Sequence, residues 1–366
     1  MHLPRVALPI LLLVAGGVGA SEPAPSRELF LAGGALAICS DLAPRACTQA
    51  TAGGRGAPTY RLDDDAIRVA STPTLWRAAG APPASAIEAM LVRAREALGA
   101  PADASRGIDG TPLEAALSAA CLAPACAETD PRRPWSVLLD VERAGLLSAL
   151  EQPGAAIDGV RVRERARPAA STVGGGVRVL EAFVAAARMR GGGTPRIAVV
   201  TASAFDPMEP VDFYRSAFAA LGAETTWWPV DAALAAARFE AGDCDALPRL
   251  RLERLRLARR EAVYPDLAAE QLAFCRAASD SLPPVHGVFF AGGDQWRLRQ
   301  AFVDPRDAAN PWLQALRAAH AAGRVVVGGT SAGAAVQSGA WMLGNGSVAQ
   351  AVARAPSTAP PPEPGC

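Results

Sequence analysis

A serine at position 331 follows an apolar run and is flanked by small residues only. Residues 329–333 read Gly-Thr-Ser-Ala-Gly, which fits the pattern G-x-S-x-G, and three valines at 325–327 precede it. The pattern predicts a strand, a sharp turn that exposes the serine hydroxyl, and a helix. Bulky neighbours would clash in the strained backbone of such a turn. Ser331 is therefore a candidate nucleophile, with the Ala332 amide placed to stabilise an oxyanion; the alternative is an ordinary glycine-rich turn.

A second polar turn follows another apolar run. Residues 286–295 read His-Gly-Val-Phe-Phe-Ala-Gly-Gly-Asp-Gln, which predicts a buried strand, a glycine turn and then polar residues. Ligands of open α/β sheets bind at the carboxyl ends of the strands. We therefore expect this turn and Ser331 to lie at the same edge of one sheet, where two converging turns favour a site.

The elements that would position these turns alternate between strand and helix from about residue 176 onward. Such alternation predicts an α/β fold with a mostly parallel sheet and helices on both faces. The predicted organisation is a signal peptide at 1–20, the first core strand and a loop at 21–54, an insertion or small subdomain at 55–175, the α/β core at 176–345 and a Pro-rich tail or loop at 346–366. The loop-rich insertion is predicted to include a strand at Trp135–Val141.

Composition limits the chemistry. The chain has 366 residues with half of them apolar and a formal net charge of zero, so bulk charge gives no indication of nucleic-acid or membrane binding. All 36 basic residues are arginine. The absence of lysine excludes a Ser-Lys dyad, a Schiff-base lysine and a P-loop lysine.

The N-terminus predicts export. Arg5 precedes an apolar run at residues 6–15, and small residues lead to a cleavage site near Ala20, which is typical of a secretory signal peptide. The protein is therefore expected to be periplasmic or secreted, where disulfides form. Neighbouring cysteines suggest the pairs Cys39–Cys47, Cys121–Cys126 and Cys244–Cys275, with Cys366 left over, although spacing does not fix connectivity.

No metal or cofactor is expected. The sequence has no Cys-x-x-Cys, and no histidine lies near a cysteine pair. Three consecutive aspartates, Asp63–Asp65, are interpreted as a solvated turn rather than a metal site.

The two turns taken together resemble those of the cyanophycinase branch of the cyanophycinase/dipeptidase E serine peptidases. The resemblance covers residues 27–50 and 176–345. It implies a flavodoxin-like core related to class I glutamine amidotransferases, with serine in place of cysteine. By that resemblance Ser331 is the nucleophile, the amides of Gly292, Gly293 and Ala332 form the oxyanion hole, and Asp294 and Gln295 bind substrate.

The same resemblance implies an activity. It implies a serine-type exopeptidase that hydrolyses peptide bonds next to aspartate, with multi-arginyl-polyaspartate or a related aspartyl peptide as substrate and a dipeptide as product. The expected partner is this peptide or a cyanophycin-like polymer. A homodimer is a further option, and no binding to nucleic acid or membrane is expected.

One part of the family pattern is missing. A serine hydroxyl needs a base, which the family takes from a histidine that follows the serine in an Asp-x-His-Phe-like segment; this sequence ends at residue 366 with no histidine after Ser331. His286 opens a strand, so at about 3.3 Å per residue it should lie roughly 20 Å from the edge that carries Gly292. His320 is likewise expected at the opposite edge.

Three interpretations stay open. The sequence ends within the domain and the base lies beyond it, or the protein binds peptides without catalysis on the same fold. An α/β-hydrolase esterase also uses G-x-S-x-G, but it does not account for the Gly-Gly-Asp-Gln turn.

Overall fold

Five parallel strands form the sheet on which the molecule is built. A computed structural model describes residues 29–34, 36–49, 56–76, 82–100, 107–121, 134–277 and 279–337. The predicted signal peptide, Cys126, Cys366 and the Pro-rich tail lie outside these residues. The strands of the sheet are β1 (Leu29–Ala32), β6 (Arg196–Val200), β7 (Glu224–Trp227), β8 (Gly287–Phe290) and β9 (Val326–Thr330). Two short antiparallel pairs lie between β1 and β6 in the chain, β2 (Thr59–Tyr60) with β3 (Ile108–Asp109), and β4 (Ala156–Ile157) with β5 (Val160–Arg161).

The strand order is β1-β9-β8-β6-β7. Read from the other edge, the order is β7-β6-β8-β9-β1. It matches the flavodoxin order 2-1-3-4-5 when β6, β7, β8 and β9 are taken as strands 1 to 4 and β1 as strand 5. The order reverses between β6 and β8, where Ala198 is paired with Val288, and ligands of such sheets bind beside this reversal. The predicted α/β, flavodoxin-like fold with a mostly parallel sheet is confirmed.

Helices cover both faces of the sheet because its strands are apolar on both sides. On one face, α6 and α7 pack an aromatic cluster in which Phe183 contacts Phe289 and Phe218, with ring centroids 5.3 and 5.8 Å apart. On the other face, Trp228 and Trp312 are fully buried. The helices of the core are α6 (Gly174–Gly191), α7 (Val211–Ala220), α8 (Ala232–Ala235), α9 (Leu247–Leu255), α10 (Arg260–Val263), α11 (Pro265–Arg276), α12 (Gln295–Phe302), α13 (Pro311–Ala321) and α14 (Ala332–Ala335).

The described part of the 55–175 region contains a helical unit with its own apolar core. Its helices are α1 (Asp64–Ala70), α2 (Ala84–Leu98), α3 (Gly110–Ala119), α4 (Pro134–Val137) and α5 (Asp140–Leu150). Ile87, Leu113 and Leu146 are fully buried in that core. Leu252 and Ala258 of the α/β core pack against it, so the helical unit is joined to the sheet region by apolar contacts.

Two local predictions in this region were wrong. The predicted strand at Trp135–Val141 consists of α4 and the start of α5, since a short apolar run does not distinguish a strand from a buried helix. The predicted solvated turn at Asp63–Asp65 is a helix start: the Asp63 carboxylate accepts a hydrogen bond of 2.8 Å from the Ala66 amide and caps α1.

Two of the predicted disulfides are present. Cys39 is bonded to Cys47 and Cys244 to Cys275, which fits an oxidising compartment. Within the described ranges, no helix has both the length and the apolar character that a bilayer crossing requires.

Candidate active site

Ser331 occupies the sharp turn that the sequence predicts. It directly follows β9 and precedes α14, and its backbone has φ of 50° and ψ of −119°. A non-glycine residue with positive φ is strained and persists only where its surroundings hold it. Here the Ser331 amide donates a hydrogen bond of 2.8 Å to the carbonyl of Ala32 on β1. The side chain is exposed, whereas every residue of β9 is buried.

Glycines allow the chain to turn this tightly. A Cβ atom at Gly333 would lie 2.3 Å from the carbonyl oxygen of Phe290, and one at Gly329 would lie 2.5 Å from the carbonyl carbon of Gly333. Neither position has space for a side chain, which explains the small flanks of Ser331. Ala332 is the first residue of α14, so its amide has no acceptor within that helix and is available to a ligand.

The second turn contacts the first. A Cβ atom at Gly292 would lie 3.1 Å from Cβ of Ser331, so the two turns are in van der Waals contact. Gly293 has φ of 142°, and a Cβ atom there would lie 2.0 Å from the carbonyl oxygen of Ser203. The predicted meeting of the two turns at one sheet edge is what the structure shows.

Asp294 and Gln295 lie beside this meeting point without lining its cavity. The Asp294 carboxylate accepts a hydrogen bond of 2.8 Å from the Trp296 amide, so Asp294 caps α12. Its own amide donates to the Ser203 carbonyl at 2.7 Å. Gln295 is the half-buried first residue of α12. Contact of either side chain with substrate stays a prediction.

A cavity of about 520 Å³ opens beside Ser331. Two glutamates, Glu164 and Glu209, supply its charged groups among the lining residues, and Phe213 and Tyr214 supply its aromatic rings. The described residues that line it are Gly34, Leu36, Ala37, Ile38, Ser40, Leu42, Ala43, Glu164, Ala204, Glu209, Pro210, Phe213, Tyr214, Ala291, Gly292, Gly293, Thr330 and Ser331. Its volume suits a ligand of a few residues.

One wall of this cavity is the segment of residues 36–43, which we call the disulfide wall. Cys39–Cys47 closes its loop. The segment also pairs with residues 165–172, since the Arg167 amide donates to the Cys39 carbonyl at 2.7 Å and the Cys39 amide donates to the Ser171 hydroxyl at 3.0 Å. Covalent and backbone bonds thus hold the disulfide wall.

A second wall is the segment of residues 204–214, which we call the arginine-held wall. Arg297 donates a hydrogen bond of 2.7 Å to the Phe205 carbonyl, and Arg260 binds the Asp206 carboxylate at 2.8 Å. Arg260 is fully buried and also binds Glu151 of the helical unit at 2.7 Å. Two buried guanidinium groups therefore determine where this wall lies.

The pKa values of the two arginines shift in opposite directions. Burial lowers the pKa of Arg297, with the carboxylate of Asp294 acting in the opposite direction. Burial also lowers the pKa of Arg260, but there the charges of Asp206 and Glu151 outweigh it and raise the pKa above the usual value. Both groups stay cationic at neutral pH.

Sequence reasoning missed most of this support. Ser203, in the small-residue turn after β6, is fully buried, and its hydroxyl donates to the carbonyls of Ala291 and Gly292 at 2.7 and 3.0 Å. The turn of small residues was the signal that could have identified it. Nothing in the sequence indicates that Arg260 and Arg297 contact the cavity wall.

Tyr214 is a further residue that sequence reasoning missed. Burial raises the pKa of its phenol, while hydrogen bonding from the Gly292 backbone acts in the opposite direction. The neutral hydroxyl therefore lies next to one of the amides assigned to the oxyanion hole. Gly293 and Ala332 are the assigned amides for which no such contact is seen in the described structure.

The histidines of the described chain lie away from Ser331. His286 immediately precedes β8, at the opposite end of the strand from Gly292, and its Nδ1 accepts a hydrogen bond of 3.1 Å from the Arg196 amide. His320 lies in the last turn of α13, which leads into the amino end of β9. Both belong to the far edge of the sheet, as predicted. The described ranges also hold no cluster of three or more histidine, cysteine, aspartate and glutamate residues suited to a metal.

Comparisons with known proteins add no family assignment. No protein-family model matches the chain, and no curated protein matches it at a significant level.

Proposed function

We propose that the protein is an exported serine-type exopeptidase of the cyanophycinase kind, periplasmic or secreted, with Ser331 as its nucleophile. One observation carries the proposal: a serine exposed on a strained strand-to-helix turn touches a glycine turn at the mouth of a cavity. An ordinary glycine-rich turn needs neither a strained serine nor a second turn in contact with it.

The proposed reaction proceeds through an acyl-enzyme. The Ser331 oxygen attacks the carbonyl carbon of the scissile peptide, its proton passes to a base and then to the leaving amine, and water later releases the acyl group. The Ala332 and Gly293 amides would donate hydrogen bonds to the oxyanion, with the Gly292 amide joining them if Tyr214 releases it. The proposed substrate is multi-arginyl-polyaspartate or a related aspartyl peptide.

The lack of a histidine near Ser331 within the described residues leads to a second candidate function. Because His286 and His320 lie at the far sheet edge, the described residues offer Ser331 no imidazole. A protein with this cavity and without a base would bind aspartyl peptides and not cleave them. This non-catalytic peptide-binding function is favoured by that one observation.

The protein produced from its complete gene should separate the two. On incubation with multi-arginyl-polyaspartate, an exopeptidase releases β-aspartyl-arginine, detectable by chromatography and mass spectrometry, and Ser331→Ala abolishes the release. Thr330→Ser is the matched control, because it keeps a hydroxyl for the hydrogen bond to the Gly34 carbonyl.

Two results would count against the exopeptidase. Undiminished release by Ser331→Ala would remove Ser331 as nucleophile. Tight binding of the polymer with no product from either protein would favour the binding function.

A further inference from the structure

Four arginines alternate along one segment of the chain. Residues 160–167 read Val-Arg-Val-Arg-Glu-Arg-Ala-Arg, with arginine at 161, 163, 165 and 167; we call these four the arginine ladder. The segment begins in β5 and ends in backbone pairing with the disulfide wall, where Ala166 bridges Ser40. Alternate side chains of an extended chain project to the same side, about 7 Å apart.

The two ends of the ladder are fixed by acids. Arg161 is buried, binds Asp212 at 2.6 Å and Asp266 at 2.9 Å, and lies over the Tyr264 ring at 5.0 Å. Arg167 binds the Asp41 carboxylate at 2.7 Å. These contacts hold the segment in place and neutralise its ends.

The two middle arginines face solvent. The Arg163 side chain is 54% exposed and makes one ion pair of 3.1 Å, to an Asp266 carboxylate that Arg161 already binds. Arg165 is exposed, and although its backbone is bonded to Asp41, its guanidinium has no partner within the described residues. Two neighbouring guanidinium groups are thus available to an anion.

A second cavity adjoins these groups. It has a volume of about 700 Å³, is lined by Arg163 and Arg165, and shares Glu164 with the cavity at Ser331. Helix α7 separates the two, since Tyr214 faces the first cavity and Asp212 the second.

We propose that the arginine ladder and this cavity form a second binding site, which takes an extended acidic peptide segment. Carboxylates on alternate residues of an extended peptide lie on one side, about 7 Å apart. Arg163 and Arg165 are likewise alternate residues, both exposed, with the buried Glu164 between them. Guanidinium groups bind carboxylates with two parallel hydrogen bonds. The inference rests on the proposed function in one respect: an aspartyl-peptide substrate with free carboxylates would continue into the cavity at Ser331.

The site is tested by equilibrium binding without hydrolysis. The probe is a fluorescein-labelled, C-terminally amidated (Asp-Ala)₅ peptide, and anisotropy in 20 mM and 200 mM NaCl gives the dissociation constants. We expect Arg163→Gln/Arg165→Gln to bind about tenfold more weakly at low salt, as two lost exposed ion pairs would cause. High salt should weaken peptide binding by the wild type and reduce the difference in dissociation constant between the wild type and the double variant.

Matched controls separate a site from bulk charge. Arg249→Gln/Arg276→Gln removes two exposed arginines away from the ladder, on α9 and α11, and should change the dissociation constant less than twofold. A block peptide with the same composition, Asp₅-Ala₅, should bind more weakly than the alternating one if spacing matters. Unfolding temperatures within about 2 °C of wild type show that each variant folds.

The outcomes are distinguishable from those of the proposed function. Equal losses in both double variants, equal binding of the two peptides, or no binding by the wild type would overturn the second site. A protein that binds the probe and releases no dipeptide from multi-arginyl-polyaspartate contradicts the exopeptidase alone.

Discussion

The floor and the walls of the Ser331 cavity are built in different ways. The floor consists of two turns whose shape comes from the local backbone, with Gly292, Gly293 and Gly333 placed where a Cβ atom would meet a neighbour. The walls take their positions from distant groups: the disulfide wall from Cys47 and residues 165–172, and the arginine-held wall from Arg260 and Arg297. A floor of this kind is visible in a sequence as a motif, whereas such walls are not.

The position of the arginine-held wall also depends on the helical unit. Because Arg260 binds both Glu151 and Asp206, the helical unit and the cavity wall share one buried cation. The unit therefore helps to position the site without supplying residues to its lining.

Removal of the Arg260 charge should have the largest effect. Arg260→Leu leaves Glu151 and Asp206 buried without their cation, and we expect a loss of about 3–5 kcal/mol in the free energy of unfolding. Denaturant titration measures it. Arg254→Leu is the control, because its ion pair with Glu240 is about two-fifths exposed on each side, and should cost less than about 1 kcal/mol. Similar losses in the two variants would contradict a special role for Arg260.

The two disulfides allow stability and cavity shape to be separated. By loop length, loss of Cys244–Cys275 should cost about 3.7 kcal/mol and loss of Cys39–Cys47 about 2.5 kcal/mol. Of the two pairs, Cys39–Cys47 closes a loop in a wall of the Ser331 cavity, whereas Cys244 lines a different cavity. Cys39→Ser/Cys47→Ser should therefore weaken binding of an aspartyl-arginine dipeptide more, although it destabilises less. Calorimetry gives both quantities. If the Cys244→Ser/Cys275→Ser protein bound the dipeptide more weakly than the Cys39→Ser/Cys47→Ser protein, Cys39–Cys47 would not be the disulfide that shapes the Ser331 cavity.

A methyl group at Gly293 tests the floor. Gly293→Ala would force the turn away from the Ser203 carbonyl at an unfavourable positive φ, and should cost about 2 kcal/mol together with the loss of dipeptide binding. Gly175→Ala is the matched control, since that helical position is open and alanine should stabilise α6 by up to about 1 kcal/mol. A Gly293→Ala protein with wild-type binding would show that the floor tolerates a side chain.

The smallest effect is expected from pH at the far edge of the sheet. Burial, and then the charge of Arg196, lower the pKa of His286 from its usual 6.5. The unfolded chain therefore takes up the proton first, so the stability that His286 contributes is complete above pH 6.5 and is lost as pH falls through the folded-state pKa. His286→Asn, which keeps an acceptor for the Arg196 amide, should flatten this part of the stability–pH curve. Dipeptide binding should not change, and a change would place His286 functionally at the site.

The sequence predicted those parts of the molecule that depend on local patterns. Apolar runs between helices predicted the parallel sheet, and the glycines around Ser331 predicted the strained turn. Trp135–Val141 was assigned wrongly, because a short apolar run suits either a strand or a buried helix. The walls could not be predicted from the sequence, because their contacts join distant parts of the chain. Arg260 lies 109 residues from Glu151 and 54 from Asp206, and only folding brings them together.

The central claim is that Ser331 is the reactive group of this cavity. The most direct measurement is tandem mass spectrometry of the protein from its complete gene after incubation with a fluorophosphonate, which forms a covalent bond to activated serines. We expect one adduct, on Ser331, that a saturating aspartyl-arginine dipeptide prevents. An adduct on another serine, or none in a protein that still hydrolyses the polymer, would contradict it.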